Sequence, residues 1–184
     1  MIRAFGRNEN PDIGFVWEWF EFQIALLGES HAGVLRRLMS LEMSARPHEA
    51  RLVGLTPEEV SAYFDAQRNQ LNLLTMFELL ATTEAILRID FNERVALKKK
   101  DRLSRRYREL DRANGDNIRL AEDLLKAMKD AVTEPKVVSD FLGVLNLRNW
   151  LAHGRYWYPK LGRGYTPNDV FDVCRDLILL IPPL

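Results

Sequence analysis

With 184 residues, 47% of them hydrophobic, the chain has material for one ordinary core and little room for a second, so a single domain is expected over 1–184. Its 26 basic and 26 acidic side chains cancel, which excludes a globally basic nucleic-acid carrier or membrane-surface protein; any basic surface has to be local. The one cysteine, Cys174, excludes an intramolecular disulfide and a cysteine-ligated metal site.

The start "MIRAFGRNENPD" carries no apolar run of the signal-peptide kind, and no stretch of about 18 apolar residues is present. A cytoplasmic protein with no membrane association is expected. After Pro11, the positions Ile13, Val16, Trp17, Phe20, Ile24 and Leu27 mark one helix face, with an interruption expected around Gly28 and Gly33. A second helical piece follows through Val34, Leu35, Leu38 and Leu41, and "ARPHEARLVGL" reads as a connection. Residues 1–50 thus form a helical N-terminal extension to a core over 56–184. The early aromatics Phe15, Trp17, Trp19, Phe20 and Phe22 cover more than one helix face, which implies either a fully buried helix or a partner surface.

"LTPEEV" combines three start signals: Thr56 as cap, Pro57 at the first helical position and Glu59 completing a capping box. A long helix is predicted from there to about Ile89. A charged helix is predicted from about Asn92 to Arg112, ended by "ANGDN". Ala121, Leu124, Leu125, Met128 and Val132 mark another amphipathic helix. The next spans about Val137 to His153, with Gly154 as terminator, and "YTPNDVFDVCRDLILLI" repeats the capping logic with Thr166, Pro167 and Asp169. The fold class is all-α, a bundle of about six helices.

One stretch carries chemistry: "LRNWLAHGRYW", Leu147 to Trp157. On a helix, Asn149 and His153 lie on nearly the same face, about one turn apart, and the long Arg148 side chain reaches toward the same helix end. Such a set suits attack at a phosphodiester. An imidazole exchanges protons near neutral pH, a guanidinium grips a phosphate through paired hydrogen bonds, and an amide fixes the imidazole or a phosphate oxygen. With RNA the nucleophile is the neighbouring 2′-hydroxyl, so no metal or cofactor is required. His31 and His48 belong to no cluster with metal-ligand spacing, and no metal site is expected. The structural alternative is that all three residues serve the helix C-terminus, where carbonyls and the negative dipole end attract cations and donors.

"RNWLAH" resembles the signature of the HEPN superfamily, an arginine, a polar residue that is often asparagine, three further positions and a histidine. The resemblance covers about Thr56 to the C-terminus. It implies an all-α domain, usually a homodimer with two signatures facing one cleft, and for many members a metal-independent endoribonuclease that leaves 2′,3′-cyclic phosphate ends in toxin–antitoxin, defence or RNA-processing systems. By that resemblance Arg148 contacts the scissile phosphate, His153 is general base or acid, and Asn149 orients them. An antitoxin or effector protein is the implied partner besides RNA. The subset paired with nucleotidyltransferase antitoxins often has tyrosine two residues after the histidine; here Arg155 stands there and Tyr156 comes one later. The other reading of the resemblance is a non-catalytic HEPN module that binds RNA or protein.

Supporting features surround the signature. From Arg94 to Arg112, nine basic residues against three acidic ones leave a local net charge of +6, and Lys98, Lys99, Lys100, Arg102, Arg105, Arg106 and also Arg155 are candidate RNA-backbone contacts. A solvated helix face is the plain alternative. Glu84 sits in the row Phe77, Leu80, Glu84, Leu87 and, as a charge on an apolar face, needs a partner such as Arg148 or the histidine; Glu78 is the second candidate acid. Trp150, Tyr156, Trp157 and Tyr158 suit either base stacking or core and dimer contacts.

Overall fold

Local capping chemistry sets two of the helix starts. In the computed structural model, which describes residues 11–40, 47–115, 117–153 and 164–182, the Thr56 N–H donates to Glu59 Oε2 at 2.8 Å and the Glu59 N–H donates to Thr56 Oγ1 at 3.2 Å. Two orphan donors are thereby satisfied reciprocally. Thr166 and Asp169 form the same box, at 2.8 and 3.2 Å. The described residues form six α-helices and no strand: α1 (Ile13–Met39), α2 (Pro57–Leu97), α3 (Arg102–Asn114), α4 (Lys126–Ala131), α5 (Pro135–Ala152) and α6 (Pro167–Leu179). A 3₁₀ turn, Pro47–Leu52, precedes α2, and a π-helical turn, Leu120–Leu125, leads into α4.

Three boundaries differ from the sequence expectation. First, α1 runs unbroken through Gly28 and Gly33, because its buried face continues across them through Leu27, Val34, Leu35 and Leu38. Second, α2 continues past Asn92 to Leu97. Across the expected junction stands an ion pair one helical turn apart, Arg94 Nε to Asp90 at 2.8 Å, with both residues buried. The real break follows at Lys98, whose φ of 52° is left-handed, and Asp101 then caps α3 by accepting from the Ser104 N–H at 2.9 Å. Third, the amphipathic helix expected from Ala121 to Val132 opens in a π turn, with Asp123 folding back to accept from the Arg119 N–H at 2.9 Å.

The chain divides into two compact units, one made of the described residues of Met1–Gly14 and Met76–Leu184, the other Phe15–Thr75. In the Phe15–Thr75 unit, Val34, Leu52, Val60 and Phe64 form the core, His31 stacks on Phe64 with ring centroids 4.7 Å apart, and its Nε2 lies 3.2 Å from Ser61 Oγ. Arg37 pairs with Glu49 there.

In the larger unit, α5 packs on α4 and α6. Its Val138, Phe141, Val144 and Leu147 are buried. Cys174 on α6 is buried with its Sγ 3.9 Å from the Leu79 carbonyl, and burial pushes its thiol up to about 12, so it is a packing residue and a poor nucleophile. The α2–α3 corner closes on the Arg94 guanidinium, which also donates to Ser104 Oγ at 3.3 Å and to the Pro182 carbonyl. Burial raises the Asp90 carboxyl above the usual range, and the guanidinium beside it opposes that shift.

Candidate functional site

Leu147 is buried while Arg148, the next residue on α5, is half exposed, so the guanidinium leaves the core at the helix C-terminal end. There it meets α2. Arg148 Nη2 donates to Glu84 Oε2 at 2.9 Å, and Arg148 Nη1 donates to Asn149 Oδ1 at 3.3 Å. The other Glu84 oxygen, Oε1, accepts from Arg88 Nε at 3.0 Å and lies 2.9 Å from Arg88 Nη2. Arg88 Nη1 in turn reaches the Ile118 carbonyl at 3.4 Å. One carboxylate therefore bridges two guanidinium groups, leaving this three-residue cluster with a net positive charge. The Arg148 Nε is buried without a hydrogen-bond partner.

His153 ends α5. Its backbone N–H donates to the Asn149 carbonyl at 3.1 Å, its φ and ψ of −94° and 19° leave the helical region, and the residue is exposed. Arg148, Asn149 and Glu84 are in direct contact, and His153 stands one turn beyond Asn149 on the same helix end. Because the Asn149 amide oxygen accepts from Arg148, its NH₂ group is what faces any further acceptor, such as a phosphate oxygen or an unprotonated imidazole nitrogen. Arg88 was not anticipated from the sequence. Its only local signal is the Glu84–Arg88 spacing of one helical turn with the acid on the N-terminal side, a pattern common on solvated helices. Glu78 is exposed on α2 and is turned about 120° around the helix from Glu84, away from the Arg148 contact.

The basic segment separates into structural and available residues. Arg94 is buried in its ion pairs, and Arg108 is half-buried and donates to the Lys99 carbonyl, so neither belongs to an open cationic face. Lys98, Lys100, Arg102, Arg105, Arg106 and Arg112 are exposed and Lys99 is half-buried. Leu103 and Tyr107 anchor the opposite face of α3, Tyr107 with its ring centroid 5.1 Å from that of Phe91. Lys100, Arg102, Arg105, Arg106 and Glu109 line an open concavity of about 460 Å³, within which Arg106 pairs with Glu109 at 3.0 Å. Trp150 is half-buried. Gly154, Arg155, Tyr156, Trp157 and Tyr158 lie outside the described residues.

Among the described residues no group of three or more histidine, cysteine, aspartate or glutamate side chains is placed to hold a metal ion, and no helix is long and apolar enough to cross a membrane. No protein-family model, curated protein or solved structure matches this chain.

Proposed function

We propose that the chain is a metal-independent endoribonuclease of the HEPN type, working as a homodimer in which two Arg148–His153 segments face one cleft. The observation that carries this reading is the cluster at the end of α5: a cation braced by Glu84 and Asn149, with an exposed histidine one turn further on. Positioned charge plus a group able to exchange protons near neutral pH is what phosphodiester transfer to a 2′-hydroxyl needs.

In the proposed reaction His153 of one copy takes the 2′-hydroxyl proton as the 2′-oxygen bonds to phosphorus. The bond from phosphorus to the 5′-oxygen breaks, and the imidazolium of the other copy returns a proton to that leaving oxygen. The products are a 2′,3′-cyclic phosphate and a 5′-hydroxyl. Arg148 holds the non-bridging oxygens as their charge grows, and the Asn149 NH₂ supplies a further donor. Glu84 is a positioning residue that fixes the guanidinium, and Glu78, exposed and turned away, has no part in that bracing. Lys98, Lys99, Lys100, Arg102, Arg105 and Arg106 hold the RNA backbone, and Arg155, two residues after His153 in the sequence, is a further candidate contact. A cytoplasmic toxin, defence or RNA-processing role follows, with an antitoxin or effector protein as partner.

One observation favours the second reading, a non-catalytic HEPN module: the Arg148 guanidinium already satisfies protein acceptors on two of its nitrogens. Incubation of the purified protein with labelled single-stranded and structured RNA in chelator separates the two. The ribonuclease reading expects cleavage that falls at least about 100-fold in folded Arg148→Ala and His153→Ala proteins. RNA binding without turnover identifies the binding module, and cleavage unchanged in both variants rules out this site.

A further inference from the structure

Helix α1 has two apolar faces, and among the described residues only one of them is packed. Val16, Phe20 and Val34 are buried, and Leu27, Leu35 and Leu38 pack against the core of the Phe15–Thr75 unit. On the outer side Phe15 is 71% exposed, Trp19 38%, Phe22 60% and Leu26 44%. Their successive spacings of four, three and four residues place them in one narrow stripe, within about 60° of helix circumference. This is the seam spacing by which one helix takes the knobs of another. Since an aromatic side chain carries about 150–250 Å² of surface, the exposed fractions of the three rings alone leave on the order of 350 Å² in water. Patches of that size on soluble proteins mark interaction surfaces.

The charge around the stripe selects the occupant. Glu18 and Glu29 are exposed beside it, within about 70° of its centre around the helix, and the first basic residue of α1, Arg36, lies about 15 Å beyond Leu26. We propose that this acid-rimmed stripe is the docking site for an amphipathic helix of a partner protein, one whose apolar seam is flanked by lysine or arginine. A second copy fits poorly. Paired parallel on this seam, the two helices would set Glu29 against Glu29 of the other copy. The ring surface is also about half of the roughly 800 Å² per partner that a standard interface buries. Anionic ligands such as RNA or an acidic lipid surface are opposed by the same carboxylates. The assignment does not depend on the ribonuclease reading.

Two labelled synthetic helical peptides test it, identical in a leucine seam at heptad spacing but flanked in one by lysine and arginine and in the other by glutamate. Fluorescence anisotropy with the full chain should show binding of the basic-flanked peptide only. Phe15→Ala/Phe22→Ala, both at exposed positions and checked for unchanged helicity, should weaken that binding at least tenfold. Glu18→Lys/Glu29→Lys should reverse the preference toward the acidic-flanked peptide. Equal binding of the two peptides, binding of neither, or binding untouched by the phenylalanine substitutions would overturn the proposal. So would sedimentation showing self-association that vanishes in Phe15→Ala/Phe22→Ala, since the occupant would then be a second copy.

Discussion

Glu84 has one carboxylate and two guanidinium groups to share it with. Each oxygen serves one arginine, Oε2 at 2.9 Å from Arg148 Nη2 and Oε1 at 2.9 Å from Arg88 Nη2, and the Glu84 side chain is only 17% exposed. At that depth the pair is worth more than a surface ion pair, yet Arg148 at 33% remains open enough for water to screen part of it. Glu84→Gln keeps the shape and removes the charge, and is expected to cost about 1–2 kcal/mol in denaturant unfolding. If Glu84 positions Arg148 for phosphate, the same substitution lowers kcat of RNA cleavage at least tenfold while RNA affinity holds or rises, because a competing anion has gone. A loss confined to stability would make the cluster purely structural. The contact itself was legible in the sequence as a charge on an apolar helix face, a placement that demands a partner. Arg88 was not, because an arginine one turn after a glutamate is ordinary on a solvated helix, and only the tertiary contact between α2 and α5 gives the pair a second arginine.

At the scale of elements, the sequence was most informative where structure is decided within four residues. The two capping boxes, Thr56 with Glu59 and Thr166 with Asp169, need no tertiary information and stand where they were expected. Boundaries set by distant partners were not readable. The junction expected between Ile89 and Asn92 is absent, because Asp90 pairs with Arg94, the Ser104 hydroxyl and the Pro182 carbonyl take the guanidinium, and the helix runs on through them. Gly28 and Gly33 looked like breaks for a similar reason: local propensity opposes the helix, and packing of the flanking leucines outweighs it. That competition has a measurable consequence. A Cβ added at Gly28 meets nothing within 4 Å. Gly28→Ala is therefore expected to stabilise the protein by about 0.5–1 kcal/mol, read as a rise in the denaturant midpoint with unchanged slope. Destabilisation would mean that α1 is not a continuous helix at that position.

For the whole molecule, zero net charge conceals separated charge. The α2–α3 corner and α3 present Lys98, Lys100, Arg102, Arg105, Arg106 and Arg112, whereas α1 presents carboxylates around an aromatic stripe. Counting basic residues along the sequence overstated the cationic face, since Arg94 and Arg108 are turned to structural use. If the remaining cations track an RNA backbone, affinity for single-stranded RNA falls as salt rises. Arg105→Ala/Arg106→Ala is expected to reduce the slope of log K against log salt by about 1.5, measured by filter binding across a salt series. An unaltered slope would return α3 to the status of a solvated face.

The most direct test of the central claim is the chemistry of the ends produced from RNA by the purified protein, alongside a substrate carrying 2′-deoxyribose at the cleaved position. Attack by the 2′-hydroxyl at a site built from Arg148 and His153 predicts 2′,3′-cyclic phosphate and 5′-hydroxyl ends, with no cutting at the deoxy position. Ends bearing 5′-phosphate and 3′-hydroxyl, or cleavage that ignores the missing 2′-hydroxyl, would contradict it.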